Sequence, residues 1–90
     1  MRKVRITVAG RVQGVGFRWS ARRQAIHYKI NGYVRNLPSG EVEMVAEGDD
    51  AGVAQMIHWA RQGPSWSHVA DLRIEELPYD NEYHDFNVRI

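Results

Sequence analysis

The stretch GRVQGVGFR, residues 10–18, crowds three glycines and two arginines into nine positions and marks a change of period along the chain. Upstream, Val4, Ile6 and Val8 alternate with Arg5 and Thr7, the period of two expected of a strand with one buried face. Downstream, Ala21, Ala25 and Tyr28 fall at i, i+4 and i+7, which predicts a helix over 19–29 with Arg22, Arg23 and Lys29 turned to water. The stretch is therefore a strand-to-helix junction, and it sets the first β-α unit of the fold.

Working outward, INGYVRNL and GEVEMVAEG read as two strands joined through LPSG, a hairpin in which Val42, Met44 and Ala46 alternate with Glu41, Glu43 and Val45. Asp49 or Asp50 can start a second helix carrying Val53, Met56, Ile57 and Ala60 at helical spacing, and Gly63 with Pro64 stops it. Ala70, Leu72 and Ile74 alternate in a further strand, and Phe86, Val88 and Ile90 in a last one. The order β-α-β-β-α-β plus a terminal strand predicts an α+β, ferredoxin-like (split βαβ) sandwich, with two helices on one face of an antiparallel four- to five-stranded sheet.

Ninety residues suffice for a single domain, 1–90, and are too few for a substrate domain attached to a cofactor domain. No apolar run approaches a membrane span, and VRITVAG after Met1 is not a signal core, so a cytoplasmic protein without membrane contact is expected. The absence of cysteine excludes disulfides, thiolate nucleophiles and thiolate metal sites. The net charge of +1 divides unevenly: residues 1–36 hold nine Lys and Arg and no acid, while 37–90 hold three Arg and all eleven acids. Either the two parts neutralise each other across a sheet, or the first presents a positive field to an anion.

The glycine-rich junction has a chemical reading. Loop N–H groups and those of the first helical turn can converge on one anion, glycines at 10, 14 and 16 permit the backbone angles of such a nest, and the forked guanidinium of Arg18 matches phosphate oxygens. It is not a nucleotide P-loop, which needs Gly-Lys and then Ser or Thr, nor a dinucleotide fingerprint. Set against the cysteine phosphatase loop, C-x5-R, it has Val12 at the nucleophile's position, so if the loop holds a phosphoryl group nothing in it can become a phosphoenzyme and the nucleophile is water. On spacing alone, an anion cradle and a structural turn both remain open.

VAGRVQGVGFR, residues 8–18, resembles the acylphosphatase signature V-x-G-x-V-Q-G-V-x-F-R, and GYVRNLPSGEVEMVAEG, residues 32–48, is similar to the second signature of that family. The two cover about a third of the chain in the right order. The resemblance implies hydrolysis of a small-molecule acyl phosphate to a carboxylate and inorganic phosphate, without metal or cofactor. It implies that Arg18 binds phosphate and stabilises the transition state, that the backbone N–H groups of Gln13, Gly14, Val15, Gly16 and Phe17 form the cradle, and that Asn36 positions the attacking water. The chain departs from many relatives in HYKIN ahead of Gly32 and in Ser39-Gly40 at the turn, both outside these positions. Acylphosphatase-like domains also occur inside larger hydrogenase-maturation proteins; a chain starting at Met1 and ending just after its last strand is expected to be an independent enzyme, and a monomer is expected.

Other residues carry less. His27, His58, His68 and His84 show no metal-ligand spacing and are expected at or near the surface. Trp19, Trp59 and Trp66 are expected to cover the core or its edge, with Trp66 in GPSWSH able to lie on an exposed loop. Alternation sends Arg35 to the face opposite Asn36. RNA-recognition domains share the element order but stack bases on aromatics of a central strand; GEVEMVAEG offers three glutamates and no aromatic there, so no nucleic-acid partner is expected.

Overall fold

The computed structural model describes residues Met1–Ile90. The order is β1 (Arg2–Arg11), α1 (Phe17–His27), β2 (Asn31–Asn36), β3 (Val42–Gly48), α2 (Asp50–Ala60), β4 (His68–Leu77) and β5 (Phe86–Arg89). One five-stranded sheet runs β4-β1-β3-β2-β5. Its four main strands pair antiparallel, as the hydrophobic pattern predicts, but β5 lies parallel to β2, pairing Gly32 with Phe86 and Val34 with Val88. The long connection over residues 78–85 makes this possible: it carries the chain across the sheet from one edge to the other, which a tight turn cannot do.

Both helices cover the face bearing Val4, Ile6, Val8, Val34, Val42, Met44 and Ala46, all fully buried. Phe17, Ala21 and Ala25 of α1 and Val53, Met56, Ile57 and Ala60 of α2 complete that core. Helix α1 begins two residues earlier than the periodicity of alanines predicts, because Gly16 takes a left-handed conformation, φ 78, and turns the chain directly into the helix. It ends where Lys29 adopts φ 58 and Ile30 donates to the Ala25 carbonyl at 2.8 Å, a Schellman-type stop using lysine in place of glycine. In α2, Asp49 is the N-cap residue without a side-chain capping bond, and Asp50 pairs with the N-terminal ammonium at 3.2 Å.

Strand β4 departs from simple alternation. Leu72 and Val69, three residues apart, both pack against the core, because a bulge opposite Ala9 and Gly10 inserts a residue in β4. Ala70 and Ile74, expected on the buried face, are exposed: β4 is a sheet edge that neither helix covers.

Candidate active site

Residues 12–16 leave β1 and enter α1 as an irregular loop anchored at both ends in the core by Val12 and Phe17, each 1% exposed. Gly14 and Gly16 have φ of 74 and 78 and open space where a Cβ would stand, so they are glycine for backbone angle and not for room. No backbone N–H from Gln13 to Gly16 finds an acceptor in the protein, and that of Phe17, first in its helix, has none within it. A run of unpartnered donors at the positive end of a helix is an anion-binding arrangement.

The Gln13 side chain fixes this loop to the β2–β3 hairpin. Its Nε2 donates to the Leu37 carbonyl at 2.8 Å and to the Glu41 carbonyl at 2.9 Å. Asn36, the last residue of β2, is thereby held next to the loop: it precedes Leu37 and shares the helix-covered face with Val34. Its Oδ1 is buried without a hydrogen-bond partner. An orphaned buried acceptor is costly to keep, on the order of 1–3 kcal/mol, unless a bound group or water meets it.

Arg18 sits half-buried in the first turn of α1, where its Nη1 donates to the carbonyl of Arg89 at 2.9 Å. One bond restrains the guanidinium and leaves its other donors free. The uneven charge in the sequence serves both alternatives. Arg2, Lys3, Arg5 and Arg35 pair with Glu76, Asp80 and Glu82, Glu75 and Glu43. Arg11 and Arg18, at either end of the loop, and Arg22, Arg23 and Lys29 of α1 and its C-terminal turn have no carboxylate in ion-pair reach, so the uncompensated positive charge gathers at the loop and its helix.

The structure thus brings Arg18, Asn36 and the loop from Gln13 to Phe17 to one end of the sheet. Arg35 points to the other face, bonding Glu43 at 2.8 Å. The four histidines are exposed, and no group of three His, Asp or Glu is placed to hold a metal ion. No helix is long and apolar enough to cross a membrane. The tryptophans divide: Trp59 packs against Phe17, centroids 5.1 Å apart, whereas Trp19 and Trp66 are 59% and 80% exposed and do not cover the core. Trp19 lies off the stripe of Phe17, Ala21 and Ala25, and Trp66 stands on a turn outside the sheet. Two shallow clefts, of about 280 Å³ beside Arg61 and residues 69–72 and about 250 Å³ beside Arg5, Thr7 and residues 73–75, include none of the loop residues. Sequence reasoning counted only the N–H of Gln13. Its side-chain strap, and the Arg89 carbonyl as anchor of Arg18, depend on contacts between residues 24 and 71 positions apart and left no local signal.

Comparison with known proteins is consistent across the chain. The Acylphosphatase family model matches residues 4–88. An acylphosphatase of Methylococcus capsulatus is 46% identical over 88 residues, spanning 98% of this chain and 96% of that protein. Among solved structures, acylphosphatase from Bacillus subtilis superposes with a TM-score of 0.95 at 34% identity, covering all of both chains. Full-length HypF in its phosphate- and nucleotide-bound form matches with a TM-score of 0.89 at 30% identity, over 98% of this chain and 12% of that one. The chain belongs to the acylphosphatase family, enzymes of acyl phosphate hydrolysis.

Proposed function

We propose that the chain hydrolyses acyl phosphates by direct attack of water on phosphorus, with the phosphoryl group held by the N–H groups of Gln13, Gly14, Val15, Gly16 and Phe17 and by Arg18, and the water oriented by Asn36. The observation that carries this reading is the Gln13 strap, which sets a loop of unpartnered donors beside an asparagine whose buried Oδ1 has no partner. The oxyanions of the phosphoryl group accept from the loop and from the free donors of Arg18, which stabilise the charge spread over them during transfer. Asn36 Oδ1 accepts a hydrogen bond from the water. An amide is too weak a base to take its proton, which passes to a phosphate oxygen of the substrate. The water oxygen bonds to phosphorus as the bond from phosphorus to the acyl oxygen breaks. A carboxylate of low pKa departs without a general acid, and inorganic phosphate remains. The core draws on both helices and on β1, β2, β3 and β5, with Val69 and Leu72 of β4 packed on it, which supports residues 1–90 as one catalytic unit.

The test is hydrolysis of benzoyl phosphate with a chelator present. Arg18→Gln is expected to lose about 10³-fold in kcat and Asn36→Ala about 10²-fold, the range for removal of a transition-state donor or positioning group. Asn36→Ala should leave the unfolding midpoint unchanged or raised, since its Oδ1 has no protein partner to lose. Retained turnover in Arg18→Gln removes the role given to that guanidinium, and destabilisation of Asn36→Ala in step with lost activity makes that asparagine structural.

A further inference from the structure

Helix α1 turns Phe17, Ala21 and Ala25 to the core and leaves its other face without a partner. At about 3.6 residues per turn, Trp19, Arg22, Arg23 and Ile26 fall at i, i+3, i+4 and i+7 and share that outward face. Trp19 and Ile26 are 59% and 56% exposed, and Trp19 meets no aromatic ring and no cation. The helical period sets these two on the midline of the face, with Arg22 on one side and Arg23 on the other. Lys29 stands exposed just past the helix end.

The charge on this face is unanswered. Helix α1 contains no acidic residue. It packs chiefly against β2, β5 and α2, and of these only α2 carries an acid, Asp50, which is taken by the N-terminal ammonium at 3.2 Å. Arg22, Arg23 and Lys29 have no carboxylate in ion-pair reach. Unpaired cations set around two exposed apolar side chains complement an anionic surface that has an apolar layer beneath it.

We propose that α1 docks on an anionic lipid bilayer. Trp19 and Ile26 enter the boundary between headgroups and acyl chains, and Arg22, Arg23 and Lys29 meet the headgroup phosphates. Indole is suited to that boundary, where one end of the ring is apolar and the other wet. A nucleic acid would engage the arginines and leave Ile26 without a role. An acidic protein would need surface relief to interlock with, yet both clefts of the molecule lie along β4 and include no residue of α1. A fluid bilayer conforms to a convex helix, and this helix is ordered before it binds. The lack of a spanning helix does not bear on this contact, because a helix lying in the interface plane enters only the headgroup boundary. Nothing is required of the glycine loop, and the docking holds whether or not that loop binds phosphate.

Sedimentation of the native chain with vesicles of equal parts phosphatidylglycerol and phosphatidylcholine, and with vesicles of phosphatidylcholine alone, tests the docking. Binding is expected to the first and not to the second, and it should weaken as salt is raised. Arg22→Gln combined with Arg23→Gln should lower the affinity about tenfold or more, and Trp19→Ser or Ile26→Ser each about threefold or more. Trp66→Ser, which removes a more exposed indole outside the helix, should leave it unchanged. All these side chains are exposed, so the variants should keep the native unfolding midpoint. No sedimentation with the anionic vesicles overturns the proposal. So does equal loss in Trp66→Ser and Trp19→Ser, which makes the contact a general affinity of exposed indole. Binding that needs the arginines but is indifferent to Trp19→Ser and Ile26→Ser, and that soluble polyglutamate or polyuridylate displaces, makes the face a site for an acidic protein or a nucleic acid and overturns it as well.

Discussion

On one face of the sheet, Val4, Ile6, Val8, Val34 and Met44 are sealed under two helices; on the other, Lys3, Glu43 and Glu47 are almost as completely buried, at 6, 9 and 2% exposure, with no helix above them. The second face is closed by residues 78–85. Lys3 Nζ reaches Asp80 and Glu82 at 2.8 Å each, Glu47 accepts from the Tyr83 N–H at 2.8 Å, and Tyr83 packs edge-on to Tyr33 at 5.8 Å. The apolar face holds the glycine loop through Val12 and Phe17. The polar face holds the connection to β5, whose Arg89 lies 3.7 Å above the Tyr33 ring and offers the carbonyl that restrains Arg18. The proposed phosphate site is therefore suspended between a non-directional core and a directional polar network, and the two should respond differently to substitution and to pH.

The largest effect is expected on the apolar side. Met44 is fully buried between Ile6 and Val34, and Met44→Ala should cost about 3 kcal/mol, within the usual 2–5 for such a cavity, by chemical denaturation. That loss should be the same at pH 7 and pH 4. A smaller, pH-dependent effect is expected opposite. Burial pushes the Glu43 carboxyl up, but hydrogen bonds from Arg35 and Tyr33 and the charges of Arg35 and Arg5 outweigh it and hold the carboxyl below its ordinary range. The folded state thus binds fewer protons here than the unfolded one, so the stabilisation is present above the ordinary carboxylate pKa, about 4.3, and fades as pH falls through the lowered value. Glu43→Gln should cost about 1–2 kcal/mol at pH 7 and converge on the native chain in acid. An equal loss for both substitutions at every pH breaks the contrast between the faces.

The same contrast explains what the sequence disclosed. Alternation in Val4, Ile6 and Val8 and helical spacing in Val53, Met56, Ile57 and Ala60 report burial against apolar neighbours, and those elements lie where the pattern places them. Alternation is silent on the far side: Glu43 and Glu47 carry the residue type of a solvated face, yet Tyr33 and Arg35 close over Glu43 and a crossing segment thirty-six residues on closes over Glu47. The parallel β5 and the bulge that turns both Val69 and Leu72 inward follow from that same crossing and from pairing with β1, neither of which has a local signal. At the site, the loop angles were legible from its glycines and the arginine at its end. Asn36 was legible only through family resemblance, because an asparagine at a strand end is chemically unremarked until its Oδ1 is seen to be buried and alone. The exposure of Trp66 was legible as one alternative in GPSWSH, whose turn carries it clear of the core; that of Trp19 was not.

The role proposed for the loop from Gln13 to Phe17 is that of the phosphate cradle. Titration of inorganic phosphate, the reaction's product, into the labelled native chain while backbone amide resonances are followed tests it directly. Saturable shifts are expected to concentrate at the N–H groups of Gln13, Gly14, Val15, Gly16 and Phe17, with the Arg18 side chain responding at the same concentration and the Arg18→Gln variant losing the response. Saturable shifts centred on Arg61 and residues 69–72, with the loop amides unmoved, would contradict it.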